Sequence, residues 1–346
     1  MRFDVAIVGA GVAGAAAARS AATAGARVVL FEQFDVGHTR GSSHGTSRIF
    51  RLSYPDATYV RMAQRALPLW RALERDASAR LLTVTGGYDV GPDVDANARA
   101  LGACGAPFEI VDGAEASRRA GNVVFGADER VLFQPDTGIL AADATVAACV
   151  ALAADAGADV RTRARVDALR QLDGGVDVVF GDDVVRARVA IVAAGAWARP
   201  LVAPLGIDLG VTPTRETVAY FHADVAPPVV VDWGDPAVYV LPAPGLGLKA
   251  GEHHAGPVAD PDEPGEVSTE SIARAAAWVR ARVPGAAPEA HYAETCLYTN
   301  TPDEHFVMER IGDVVVGSAC SGHGFKFAPL TGARLVALAG FGDADV

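Results

Sequence analysis

Residues 3–32, FDVAIVGAGVAGAAAARSAATAGARVVLFE, constrain the fold more than any other part of this 346-residue chain. The apolar run 3–8 predicts a buried strand, the small-residue stretch 13–24 a helix, and 27–31 a second strand ending on Glu32. Gly9, Gly11 and Gly14 stand between the first strand and the helix in G-x-G-x-x-G order, and Glu32 follows Gly14 by 18 residues. Each has a physical task. Gly9 permits the tight turn, Gly11 lets a diphosphate approach the backbone, and Gly14 lets the helix pack on the strand. The helix N-terminus offers free N–H groups to an anion, and Glu32 is placed to accept from ribose hydroxyls. A strand, glycine turn, helix, strand and acid in this order predict a dinucleotide-binding unit, with NAD and FAD both open.

The loop HTRGSSHGTSRIFRLSY follows, polar and rich in glycine and serine, with three arginines and two histidines. A nicotinamide-binding unit enters its next helix within a few residues, so a loop of this length is unusual for one. Ile49, Phe50 and Leu52 alternate with Arg48 and Arg51, which predicts that these arginines enter a partly buried strand. A buried arginine requires an anionic partner, so an anion-directed role is expected.

A net charge of −12 argues against nucleic acid or an anionic membrane as partner. No apolar run reaches the length of a membrane span, and the start of the chain reads as strand, turn and helix rather than as a leader. The expectation is a soluble cytoplasmic protein. Cys104, Cys149, Cys296 and Cys320 show neither a disulfide framework nor metal-ligand spacing, and no metal is expected. Cys149 falls on an apolar helical stripe with Val146, Val150 and Ala153 and reads as packing. Cys296 opens the run CLYTNTPDEHF, and its role stays open between filler, nucleophile and covalent anchor.

Residues 57–78 predict an amphipathic helix kinked at Pro68, and 142–157 a helix running into a strand at 158–166. A hairpin then leads to a buried strand at 188–193. Residues 209–250 predict short strands of an antiparallel sheet over a pocket, 270–283 a helix, and 313–316 a strand before a glycine loop and a closing helix. Cofactor-type segments thus recur at the start, middle and end. The expected fold class is α/β (α+β overall), a Rossmann-like FAD-binding domain interleaved with a mixed or antiparallel-sheet substrate domain. The expected division is 1–80, 140–206 and 295–346 for the first, 81–139 and 207–294 for the second.

In order, GAGVAG, GSSHGTSRIFR, GLKAGEHH, CLYTNTPDEHF and SGHGFKF resemble the monomeric sarcosine oxidase and N-methyltryptophan oxidase family. These are flavin amine oxidases of the D-amino-acid-oxidase-like superfamily, and the resemblance covers essentially the whole chain. It implies FAD, with Cys296 at the position joined to the flavin by a thioether. It implies cofactor contacts from Gly9, Gly11, Gly14, Glu32, Ser42, Ser43, His44, Ser47, Arg48, Val166, Gly195, Gly322, His323, Gly324 and Lys326. The implied reaction removes a hydride from the carbon beside a secondary amine of an N-methyl or cyclic amino acid. The imine is hydrolysed, and O2 is reduced to H2O2. By the same resemblance, Arg51 and Lys326 hold the substrate carboxylate, Lys249 activates oxygen with Arg48 as a second cation, His253 contacts bound carboxylate ligands, and Tyr239 lines the pocket. A monomer is expected. The alternative is a flavin dehydrogenase, or an oxidase of a biosynthetic imino acid, a D-amino acid or a fructosyl amino acid.

Departures bear on the substrate. Thr46 stands where the family carries Asp, and Glu252 where it carries an aromatic or basic residue; Glu252 is expected either to face a substrate amine or to face water.

Overall fold

The computed structural model describes residues 2–224, 226–318 and 320–343. Its first sheet is built on the opening motif. Strand Arg2–Val8 lies parallel to Val28–Phe31 on one side and to Asp183–Val192 on the other, and Val314–Ser318 joins parallel beyond that. Both faces of these strands are covered, as buried parallel strands require. Val5 and Ile7 face helices Val12–Thr23, Ala142–Asp155 and Ala328–Leu338 in one core, while Ala6 and Val8 face Val166, Val178 and Val202 in another. Gly14 makes the helix packing possible: a Cβ there would lie 1.9 Å from the Gly9 carbonyl oxygen.

The second sheet has eight strands and is mostly antiparallel. Its centre runs Thr212–Phe221, Gly247–Glu252, Val238–Ala243 and Val229–Asp232, and Gly87–Val90, Arg130–Gln134 and Glu109–Asp112 extend it. Strand alternation divides its side chains. Ala219, Phe221, Val238, Val240, Leu248 and Ala250 pack on helix Thr269–Arg282. The opposite parity, Val231, Tyr239, Leu241 and Lys249, faces a cavity. A small sheet joins Arg48–Phe50 and Leu82–Val84 to the two sides of Gly138–Leu140.

Several expectations shift here. The boundary placed at 295 falls inside strand Tyr292–Asn300, which pairs with Thr212–Phe221 and so completes the second sheet. The strand expected at 158–166 is confined to Asp159–Arg161. The helix expected over 57–78 is observed as Ala57–Ala77, with Pro68 inside it. No helix among the described residues is long and apolar enough to cross a membrane.

Candidate active site

A cavity of about 800 Å3 runs from the glycine turn of the first sheet to the free face of the second. Every residue to which the resemblance gave a site role lines it except Gly14, whose place is beneath the turn. At one end, Gly9 holds φ +99°, and a Cβ on it would strike the Ala193 carbonyl. Gly11 itself gives the following helix no capping side chain and its first turn holds no acid, so its positive end is presented to the cavity. Ser43 Oγ accepts from the Val12 N–H at 3.0 Å. Glu32 is buried and held by the N–H groups of Ala10 (2.8 Å) and Phe34 (3.0 Å).

The loop after Glu32 is stitched across the molecule. Ser42 Oγ donates to the Leu297 carbonyl, and the Leu297 N–H donates to the Gly41 carbonyl. The Arg48 guanidinium donates to the carbonyls of Ser42 (3.0 Å), His44 (2.6 Å) and Ser47 (2.9 Å), which fixes it on the cavity wall. A Cβ on Gly45 (φ +104°) would sit 3.3 Å from Arg48 Nη1, 3.5 Å from Glu294 Oε1 and 3.8 Å from Lys249 Nζ. Three charged groups thus converge beside one glycine.

Lys249 is buried, its ammonium 5.7 Å over the Tyr220 ring and with no hydrogen bond among the described residues. Burial, reinforced by Arg48, pulls its ammonium down to about 7. Cys296 is buried beside it; burial raises its thiol, and the Arg48 and Lys249 cations oppose that rise. His44 is lowered to about 4 by burial and by Arg48, and its Nδ1 has no partner, nor does Ser47 Oγ or Ser318 Oγ. Buried polar atoms without partners on the wall of one cavity fit a polar ring system placed against them.

At the other end lie two more cations. Arg51 is buried, donates to the Ser53 carbonyl, and stacks on Tyr54 at 4.1 Å and Trp233 at 4.9 Å. No carboxylate of the described residues lies within ion-pair distance of it; the buried Asp89, held by Asn97 at 3.1 Å, feels the Arg51 charge from beyond that distance. Lys326 is buried as well and is pulled well below its ordinary value by burial and by Arg51. His253 lines the cavity and is held neutral by burial and surrounding positive groups, whereas His254 turns away toward Glu304 (3.5 Å).

Glu252 satisfies neither expectation. It has the opposite strand parity to Lys249, faces helix Thr269–Arg282, and is buried against Arg274 Nε (2.5 Å) and Ser271 Oγ (2.5 Å). Thr46 does not line the cavity, and its hydroxyl is buried without a partner. Cys149 is the packing residue expected, with burial raising its thiol to about 12; Cys320 also lines the cavity.

The sequence reading missed Glu294, Tyr220, Tyr298 and Trp233. Glu294 accepts from Tyr220 Oη at 2.6 Å and lies 3.8 Å from His44 Nε2. Glu294 and Tyr298 are two residues either side of Cys296 on one strand, so period-two alternation from Cys296 was signal enough to find them. Trp233, just beyond strand Val229–Asp232, left no such signal.

The family described as FAD dependent oxidoreductase matches residues 4–338. Monomeric sarcosine oxidase of Bacillus sp. (strain NS-129) is 31% identical over 364 residues, covering 99% of this chain and 94% of that protein. N-methyl-L-tryptophan oxidase of Yersinia pestis (strain Pestoides F) is 28% identical, covering 96% and 93%. Among solved structures, the open form of NikD, an unusual amino acid oxidase essential for nikkomycin biosynthesis, superposes with a TM-score of 0.89 at 27% identity, covering 98% and 94%.

Proposed function

Because the chain belongs to the family of FAD-dependent oxidoreductases of the D-amino-acid-oxidase type, we propose that it is an oxidase of secondary amino acids, N-methylated or cyclic. The observation that carries this reading is the pair of buried cations Arg51 and Lys326, with no carboxylate of the described residues in ion-pair contact, in the same cavity as Lys249 and Cys296. Such a pair requires an anion, and the carboxylate of an amino acid supplies one.

The residues fit FAD. The Gly9–Gly11 turn and the acid-free N-terminus of the helix after it suit its diphosphate, Glu32 its ribose, and the polar atoms of His44, Ser47 and Ser318 without partners among the described residues its ring. When bound, FAD supplies the acceptor for the two electrons and the hydrogen taken from the substrate carbon. The chain does the rest. Arg51 presents a planar fork to the carboxylate and Lys326 a point charge, so the two fix the substrate's orientation. Neutral His253 can accept a hydrogen bond from the amine, which must be unprotonated to react. Lys249 and Arg48 place positive charge where negative charge develops as O2 is reduced to H2O2. Cys296 is assigned the covalent tether, at the cavity face of its strand.

The domain division proposed is a cofactor unit of 1–80, 140–206 and 301–346 around a substrate unit that includes the Cys296 strand. By its likeness to the monomeric sarcosine oxidases, the chain is taken to act as a monomer.

The test is purification followed by a peroxide-coupled assay over N-methyl, cyclic and D-amino acids. A yellow protein releasing peroxide from at least one secondary amino acid is the expected result, and a folded but colourless protein overturns the reading. Lys249→Met should slow reoxidation in air by about 100-fold or more while anaerobic reduction changes far less. Equal slowing of both steps removes Lys249 from the oxygen step.

A further inference from the structure

Behind the cavity, a hydrogen-bond chain runs from Lys326 to the loop at 301–306. Lys326 Nζ lies 2.8 Å from Tyr54 Oη and 2.7 Å from the His323 carbonyl oxygen. Tyr54 Oη lies 3.2 Å from His323 Nδ1, and His323 Nε2 lies 3.0 Å from the Glu304 carbonyl oxygen. Glu304 holds a left-handed backbone (φ +60°), and its N–H donates to the Thr301 carbonyl. Tyr54 and His323 are both buried, and Trp70 Nε1 holds the Lys326 carbonyl at 2.7 Å.

The direction of every bond in this chain follows from counting protons. The Glu304 carbonyl can only accept, so His323 Nε2 carries a hydrogen. Burial and Lys326 lower His323 to about 3, so the ring is neutral and Nδ1 has none. Nδ1 must therefore accept, and Tyr54 has one hydroxyl hydrogen to give it. Toward Lys326 the Tyr54 oxygen is then an acceptor, as is the His323 carbonyl. Two of the three ammonium hydrogens are thus committed to the protein, and one is left for the cavity. A neutral amine in the same place would spend both of its hydrogens on the wall and turn a lone pair inward.

We propose that Tyr54 and His323 are positioning residues for carboxylate recognition, anchored on the Glu304 carbonyl, which fix Lys326 so that only its third, ammonium proton reaches the bound carboxylate. This rests on the reading that Arg51 and Lys326 receive the carboxylate. The charged or titratable groups around Lys326 are Arg51 and Tyr54 from the segment after strand Arg48–Phe50, His323 and Cys320 from its own loop, and His253 from the end of strand Gly247–Glu252. Carboxylate affinity accordingly falls as pH rises and Lys326 loses that proton.

The experiment is titration of the flavin-containing protein with acetate, followed by flavin absorbance from pH 6 to 10. Tyr54→Phe keeps the ring under Arg51 and removes only the hydroxyl. Loss of one charge-assisted acceptor is worth about 1.4 kcal/mol, so the acetate Kd should rise about 10-fold. The pH at which binding fails should move down, because the ammonium has lost an acceptor. KM for an N-methyl amino acid should rise with it, and kcat should change less. His323→Asn, whose amide oxygen can stand near Nδ1, should bind acetate within about threefold of the parent, while His323→Leu should behave like Tyr54→Phe. If the parent binds acetate and Tyr54→Phe shows the same Kd and pH profile, the proposal is overturned while carboxylate recognition stands. If Tyr54→Phe does not fold, equal acetate binding by His323→Leu and His323→Asn overturns it. A flavin-containing parent indifferent to acetate overturns the carboxylate reading and this inference with it.

Discussion

At the scale of single residues, the cavity is defined by side chains that carry unfavourable environments. Lys249 is the clearest case, an ammonium buried without a hydrogen-bond partner among the described residues and lowered from 10.5 to about 7. The consequence for stability has a definite sign. Below about pH 7 both folded and unfolded chains hold the proton, and the cost of burying the charge is constant. Between about 7 and 10.5 the unfolded chain binds more protons than the folded one, so stability rises with pH; above that window the cost is gone. Lys326 is shifted in the same direction. In flavin-free protein, the urea midpoint should therefore climb from pH 7 toward 10, with Lys249 contributing at most about 1.4 kcal/mol per pH unit. Lys249→Met should flatten that climb. An unchanged slope in Lys249→Met would place the buried charge elsewhere.

At the scale of elements, one strand decides which residues belong to the site. In Gly247–Glu252 the side chains alternate, so Lys249 faces the cavity and Glu252 faces helix Thr269–Arg282. Arg274, about half exposed, is the partner that makes burying Glu252 tolerable. Arg274→Ala should lower the thermal stability, because it leaves the buried Glu252 carboxylate with Ser271 and without its cation. It should leave KM for an N-methyl amino acid within twofold. A large change in KM with little loss of thermal stability would return Glu252 to the site.

This strand also shows how much was legible beforehand. The opening motif and its strand, helix and strand were readable because glycine geometry and apolar periodicity are local properties. Lys249, Arg51, Lys326 and Cys296 came from the resemblance. What was missed was parity: taking Lys249 as inward already excluded Glu252, and taking Cys296 as inward already included Glu294 and Tyr298. The membership of strand Tyr292–Asn300 was not readable in that way. It depends on pairing with Thr212–Phe221, some eighty residues earlier, and neither strand signals its partner.

At the scale of the whole molecule, the chain places its cations by crossing itself. Arg51 follows the first sheet's loop, Lys249 lies in the second sheet, and Lys326 sits in the turn just before the last helix, yet all three line one cavity. Ser42 and Gly41 bond across to Leu297, so the loop after Glu32 is joined to the Cys296 strand by the protein's own hydrogen bonds. A thioether at Cys296 would make the flavin a covalent bridge between the two sheets, and this has a thermodynamic signature distinct from tight binding. A dissociable ligand stabilises in proportion to the logarithm of its free concentration, by about 2.7 kcal/mol at 100 times its Kd. For a chain of this size that corresponds to a rise of about 4 °C in Tm. Cys296→Ala should therefore show a Tm that climbs with added FAD and a flavin lost on acid precipitation. The parent should show a Tm independent of added FAD and an intact mass heavier by one FAD. A parent whose Tm also climbs with FAD has no tether, and the bridge between the sheets is then only the contact made by Ser42 and Gly41.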